Sequence, residues 1–228
     1  TQSIGTRTLH RRPPPGLFPQ ELHDGVFYCG YNHEDSFGAN AFFAVRPEGN
    51  VLVDSPRWNR RLADSIASLG GIRHVLLTHQ DDVADAQRWA EHFDARVWIH
   101  AIEVDAAPFA TDLIDGSELV EIQPRLHALA IPGHTRGSTA FVLEDTFLFS
   151  GDSLYWSRES NDLAAHRHAT WYSWPELARS LERLAHTCRF EWVLAGHGDR
   201  AHRPAGEMHD RLVALVDRMH DDAGARRR

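Results

Sequence analysis

The chain has 228 residues, of which 42% are hydrophobic and 25% charged, a composition ordinary for a globular protein with a sizeable core. Its formal net charge of −8 argues against a broad nucleic-acid surface, because phosphate binding needs a basic face. Two cysteines are too few for a disulfide framework, and no apolar run approaches the roughly 20 residues that span a bilayer. We therefore expect a cytoplasmic protein that acts on a small molecule, and not on nucleic acid or a membrane, with its oligomeric state left open.

The two ends of the chain differ from its middle. Residues 1–20 are polar and rich in proline, which is typical of a loose arm. Residues 223–228 form a short basic tail that ends in three arginines. Between these ends, residues 21–222 are expected to form a single domain.

The first half of the chain begins with short apolar runs that predict strands at 26–29, 41–45 and 51–53. Gly49-Asn50 predicts a hairpin turn between the last two. A helix follows with Leu62, Ile66 and Leu69 on one face, and Gly70-Gly71 ends it. Next come a buried strand at 74–78, a helix at about 83–93 and a strand at 97–99.

The second half loosely repeats this order, with strands predicted at 126–131, 140–143 and 146–149. Ser173 is predicted to cap a helix that runs to about residue 186, with Glu176 as its capping-box partner. A strand at 190–194 and a helix at 207–219 close the chain. Such a pattern suits two mixed sheets packed face to face with helices outside, which is a four-layer αββα sandwich of the α/β (α+β) class.

Histidine or aspartate follows four of the predicted strands, mostly beside glycine, at Thr78-His79, Gly133-His134, Gly151-Asp152 and Gly196-His197. A strand end fixes the position of each side chain, and glycine lets the backbone turn tightly after it. Imidazole and carboxylate groups are suitable ligands for zinc or iron. One such segment alone is typical of an ordinary turn, but four of them predict a metal site where the strand ends meet.

These segments resemble the motifs of the metallo-β-lactamase superfamily: NVLVD at 50–54, PGHTRGS at 132–138, SGD at 150–152 and GHG at 196–198. The resemblance implies the αββα fold, with His134 as a metal ligand, Asp152 bridging two metals and His197 on the second metal. It also implies that Asp54 orients the ligands, although a turn before Pro56 explains this aspartate equally well.

The main histidine motif of that superfamily, His-x-His-x-Asp-His, is altered in this chain, where HQDDVADA stands at 79–86. If His79 is the first histidine of the motif, Asp81 takes the place of the second. If His79 is the second, Asp81 is the motif's aspartate. Asp82 and Asp85 remain alternatives, and these aspartates could instead cap the helix or occupy its first turn. We assign Asp85 as the catalytic residue, and as metal ligands His79, Asp81, His134, Asp152 and His197.

Three functions are compatible with this set of residues. The first is a hydrolase of a small ester, thioester, lactone or amide that uses a water activated by one or two Zn or Fe ions. The second is a mononuclear non-haem iron oxygenase, because His79, His134 and Asp152 have the composition of a facial triad. The superfamily that the chain resembles also includes persulfide dioxygenases, which use a mononuclear iron. The third is a non-catalytic protein that has lost its second metal site.

The segment 161–174 is rich in histidine and aromatic residues, among them Trp171, Tyr172 and Trp174. These side chains are expected either to contact substrate or to anchor a long loop on the core.

Overall fold

The computed structural model describes residues 18–31 and 38–225. Most of the predicted arm, residues 1–17, and residues 226–228 of the predicted tail lie outside the described residues. In the part of the chain that is described, no helix combines the length and apolar character needed to cross a membrane.

Within the described ranges, short strands alternate with four α-helices. The helices are α1 (Arg60–Ser68), α2 (Ala86–Phe93), α3 (Trp174–Thr187) and α4 (Ala205–Ala225). The strands are β1 (Gln20–His23), β2 (Val26–Tyr31), β3 (Asn40–Ala44), β4 (Val51–Val53), β5 (His74–Leu76), β6 (Arg96–His100), β7 (Asp112–Ile114), β8 (Val120–Gln123), β9 (Leu126–Ala130), β10 (Thr139–Leu143), β11 (Phe147–Gly151), β12 (Tyr155–Ser157), β13 (Asp162–Ala164), β14 (Trp192–Ala195) and β15 (Ala201–His202).

Two large mixed sheets carry the fold. The first has seven strands in chain order, β1 to β7, and its pairing is antiparallel up to β4 and parallel from β4 onwards. The second has the order β15-β14-β11-β10-β9-β8, in which only β11 and β14 pair in parallel. A short hairpin of β12 and β13 lies outside both sheets.

Buried side chains form three apolar layers, which define the order of the sheets and helices. One layer packs α1 and α2 on the first sheet, and another packs α3 and α4 on the second sheet. The middle layer lies between the sheets, where the rings of Phe42 and Phe149 meet with 5.8 Å between their centroids. The molecule is thus layered α, β, β, α, and the predicted αββα sandwich is confirmed.

The predicted helix boundaries need two corrections. Residues 80–82 form a short 3-10 turn, so α2 begins at Ala86 and not at residue 83. Asp85 is therefore the residue before the helix, outside its first turn, and its side chain makes no capping hydrogen bond. At the other end of the chain, α4 runs from Ala205 to Ala225, so it begins earlier than predicted and continues into the segment predicted to be a tail.

The carboxyl ends of β5, β9, β11 and β14 lead into the four histidine and aspartate segments. The backbone also joins the two sheets at this edge. The Thr139 N–H donates to the Thr78 carbonyl at 2.8 Å, and the Asn40 N–H donates to the Gly196 carbonyl at 2.8 Å. The loops that follow the two sheets are therefore held side by side.

Candidate metal centre

Three predicted ligands converge into a first group: His79, His134 and Asp152, each of which offers a ligand atom within 4.8 Å of the others. Asp152 Oδ2 is 3.7 Å from His79 Nε2 and 3.7 Å from His134 Nε2. The group joins the two sheets, because His79 follows the first sheet's β5 while the other two residues follow strands of the second.

A second group lies directly beside the first and shares Asp152 with it. Its members are Asp82, Asp152 and His197, whose ligand atoms again lie within 4.8 Å of one another. His197 Nδ1 is 2.9 Å from each carboxylate oxygen of Asp152, and Asp82 Oδ2 is 3.6 Å from His79 Nε2. One carboxylate thus belongs to two neighbouring sets of ligands.

Asp81 and Asp82 have different positions although they are adjacent in sequence. Asp81 lies beside the first group, with its Oδ2 3.4 Å from His134 Nε2, and its side chain is 45% exposed. Asp82 is buried within the second group. The structure therefore brings together the five assigned ligands, and it adds Asp82, which sequence reasoning left as an alternative.

Asp85, assigned from the sequence as the catalytic residue, belongs to neither group. Its Oδ2 accepts a hydrogen bond of 2.7 Å from the Trp58 backbone N–H, in the loop before α1. Its role as a general base stays a prediction.

The histidines of the first group are arranged as metal ligands are. His79 Nδ1 is 3.0 Å from Thr78 Oγ1, and His134 Nδ1 contacts the Ala169 carbonyl. These contacts leave each Nε2 pointing into the group, where both atoms are buried and lack a hydrogen-bond partner among the residues the structure describes. Because a buried polar atom without a partner costs free energy, these residues fit a bound cation.

Asp54 supports His79 through Thr78. Its carboxylate accepts hydrogen bonds from the Thr78 N–H at 2.9 Å and from Thr78 Oγ1 at 2.9–3.0 Å. Burial raises the pKa of Asp54 to about 7, despite the opposing effect of these hydrogen bonds. Of its two interpretations from the sequence, the geometry favours the one in which this aspartate orients the ligands.

Glu103, which sequence reasoning missed, joins two of the ligand loops. Its buried carboxylate accepts the Gln80 N–H at 2.7 Å and the Gly137 N–H at 2.7 Å, next to His79 on one side and three residues after His134 on the other. A Cβ at position 137 would lie 2.7 Å from Glu103 Cδ, so this approach requires glycine. The sequence signal is weak, since one glutamate after a predicted strand is common.

The electrostatics of the site favour bound cations. Burial alone would raise the pKa of Asp152, but the contact with His197 and the imidazoles of His79 and His134 lower it far below its ordinary range. For His134 burial acts in the opposite direction and lowers the pKa, yet the nearby carboxylates of Asp81 and Asp152 raise it above its ordinary value. Carboxylates therefore stay ionised here, and divalent cations would balance them in place of protons.

Gly196 shows how tightly the second group is built. A Cβ at this position would lie 2.7 Å from Asp152 Oδ1 and 3.4 Å from Asp82 Oδ2. The glycine of this GHG segment thus makes room for the carboxylates, in addition to any turn it allows.

Comparison with protein families gives a match to the model described as the metallo-beta-lactamase superfamily over residues 20–218. The chain is also 26% identical over 161 residues to the uncharacterized protein YmaE of Bacillus subtilis (strain 168). That match covers 67% of this chain and 58% of YmaE, so the chain corresponds to less than two thirds of that relative.

Solved structures of similar architecture include a metallo-beta-lactamase family protein from Thermus thermophilus, with a TM-score of 0.61 and 20% identity over 90% of this chain and 82% of that one. A metallo beta lactamase from Erythrobacter litoralis gives a TM-score of 0.65 and 18% identity over 87% of this chain and 95% of that one. At these identities the likeness concerns the fold.

Proposed function

Because this chain belongs to the metallo-beta-lactamase superfamily, we propose that it is a hydrolase that uses two divalent cations to cleave a small ester, thioester, lactone or amide. The observation that supports this most is the sharing of Asp152 between two ligand groups. A carboxylate common to two adjacent sets of ligands suits a pair of cations that act on one reacting centre.

The reaction adds water across an acyl bond. The water oxygen bonds to the carbonyl carbon, the bond to the alcohol, thiol or amine breaks, and the leaving group takes up a proton. Cations bound here would polarise the carbonyl and lower the pKa of a coordinated water toward about 7.

The protein's own residues would bind the cations, and one of them would accept the proton of the water. Asp81 is the carboxylate best placed for the second task, since its side chain is partly exposed beside His134. The neighbouring imidazole of His134 lowers the pKa of Asp81 below its ordinary value, so this carboxylate is ionised at neutral pH. Asp85 is the second candidate, but its Oδ2 already accepts the Trp58 N–H.

The two candidates make different predictions for Asp81→Asn and Asp85→Asn, which remove the charge with little change of shape. If Asp81 takes the proton, Asp81→Asn lowers kcat by about 100-fold or more, and Asp85→Asn leaves most of it. Steady-state kinetics on metal-loaded variants, with metal content checked for each, measure this. A large loss in Asp85→Asn alone, at normal metal content, would restore Asp85 as the base.

The proposed metals are zinc or iron. The two ligand groups combine the imidazoles of His79, His134 and His197 with the carboxylates of Asp82 and Asp152, and Asp81 lies beside His134. Imidazole suits both metals, while the additional carboxylates favour a harder cation than a site of histidines alone would. Buried thiols at Cys29 and Cys188 agree with the reducing, cytoplasmic setting that we also propose.

A second candidate function is a mononuclear iron oxygenase. It is favoured by one observation, the convergence of His79, His134 and Asp152, since two histidines and one carboxylate make up a facial triad. It assigns no role to Asp82 and His197, which is why we place it second.

Elemental analysis combined with activity assays tests both proposals. Protein purified without added metal is measured for Zn and Fe content, and is then assayed on a panel of esters, thioesters and lactones and for oxygen uptake with a persulfide. About two ions per chain with hydrolysis supports the hydrolase. About one iron with oxygen uptake supports the oxygenase, and a metal-free protein that binds no added cation contradicts both.

A further inference from the structure

Two large aromatic side chains stand exposed beside the first ligand group. Trp171 is 67% exposed and Tyr172 is 49% exposed, and they are neighbours in the chain. The ring of Trp171 lies 6.3 Å from the imidazole of His134, measured between centroids. We call this pair the aromatic platform.

The platform is fixed to the ligand loop by the backbone. The N–H groups of Trp171 and Tyr172 both donate to the His134 carbonyl, at 2.9 and 3.0 Å. The Ser173 N–H donates to the Gly133 carbonyl at 3.0 Å, and Ser173 then caps α3, as predicted from the sequence. The backbone that carries the two rings is therefore fixed next to the ligands, so little main-chain freedom is lost when the rings bind something.

A positively charged side chain, that of Arg136, adjoins the aromatic platform. The guanidinium of Arg136, which is exposed and lies two residues after His134, stands 5.7 Å from the centre of the Tyr172 ring. An arginine fixed on an aromatic face offers N–H donors to a carboxylate or a similar anion.

We propose that the aromatic platform, with Arg136, binds the acyl side of the substrate, and that this side carries an aromatic ring with an anionic substituent. Exposed aromatic rings bind another ring favourably, by edge or offset stacking together with burial of apolar area. The position of the platform next to His134 places such a ring beside the carbonyl to be cleaved. This inference rests on the hydrolase proposed above for the choice of an acyl compound.

The first experiment compares esters with one leaving group, 4-nitrophenol, and three acyl groups: acetyl, phenylacetyl and (4-carboxyphenyl)acetyl. We expect the ratio of kcat/KM for phenylacetyl over acetyl to fall about 10- to 100-fold in the double variant Trp171→Ala/Tyr172→Ala. Arg136→Gln should lower only the preference for the carboxylated ring. Leu113→Ala, at another exposed apolar side chain on β7, is the matched control and should keep all ratios.

The second experiment needs no catalysis. A ketone in which CH₂ replaces the ester oxygen of the carboxylated compound cannot be hydrolysed, and it is titrated by calorimetry into the protein as purified, with its metal content unchanged. Binding that weakens about tenfold or more in the double variant supports the platform even if no ester is hydrolysed, in which case the proposed function fails alone.

Three results would overturn the inference. Binding of the ketone to the wild type that is no tighter than binding to the double variant would show that the rings form no aryl site. Unchanged acyl ratios in an active enzyme would exclude the platform from the substrate site. A change from dimer to monomer in the double variant by sedimentation, without a change in ketone binding, would assign the rings to contact between two copies of the chain.

Discussion

Replacing Glu103 with Gln removes one negative charge from a buried position and changes almost no volume. The carboxylate accepts two backbone N–H groups at 2.7 Å, from Gln80 and Gly137. The amide of glutamine can accept only one of them through its oxygen, since its NH₂ group would face the other donor. The substitution therefore costs one hydrogen bond to a charged group and leaves one backbone donor without its partner.

The size of the effect follows from these contacts. A hydrogen bond to a charged group contributes about 1.5–3 kcal/mol and an unmatched buried donor costs about 1–3 kcal/mol; because the two figures overlap for a single lost contact, a loss of roughly 2–4 kcal/mol is expected. For a chain of this size, that corresponds to a fall in Tm of about 4–16 °C. Because both ligand loops depend on this residue, metal affinity should also fall by about 10- to 100-fold.

Thermal unfolding of the metal-free protein and competition with a chelator measure the two effects separately. Glu91→Gln is a suitable control, because Glu91 is exposed on α2 and accepts a side-chain hydrogen bond of 2.8 Å from Gln87 of the same helix. A loss of unfolding free energy below about 0.5 kcal/mol in Glu103→Gln, as in ordinary surface substitutions, together with wild-type metal binding, would contradict this prediction.

Three further predictions concern the ligand groups. Asp82→Ala should lower the bound metal from about two ions per chain to about one by elemental analysis, and retention of two would remove Asp82 from the second group. Asp152 has a lowered pKa in the folded protein, so the stability that it contributes to the metal-free protein is present above its ordinary pKa of about 4 and is lost as the pH falls below it. Between pH 6 and pH 2, the unfolding free energy should therefore fall less with decreasing pH in Asp152→Asn than in the wild type. An equal dependence on pH in both proteins would contradict this. Gly196→Ala should weaken metal binding about tenfold or more by forcing Asp152 away, and calorimetry with unchanged affinity would argue against that crowding.

The fold was accessible from the sequence because its buried strands are strongly patterned. Continuous apolar runs such as 51–53 and 140–143 fall within strands of the structure, and Ser173 caps α3 as predicted. The short strands β1, β7, β8, β12, β13 and β15 were missed. They are two to four residues long and partly exposed, so neither length nor alternation marks them as strands.

The site was predictable only in part. His134, Asp152 and His197 lie within four residues of a strand end, and the strand end largely determines where the side chain goes. For the aspartates after His79, position depends on a 3-10 turn at 80–82, in which neighbours point in different directions. No periodic pattern reveals such a turn, so Asp82 could not be chosen over Asp81. Glu103 was inaccessible because its partners are backbone groups far away in the chain.

His79, Asp81 and Asp82 follow β5 of the first sheet, whereas His134, Asp152 and His197 follow strands of the second sheet. At the boundary between the two sheets, the Thr139 N–H donates to the Thr78 carbonyl. A cation bound between these side chains would link the two halves of the sandwich. Without the cation, three acidic and three imidazole side chains would face each other across this boundary, and we expect the two sheets to separate at this edge first. The hydrogen-exchange rate of the Thr139 amide should therefore show whether a cation is bound, without the need for any substrate.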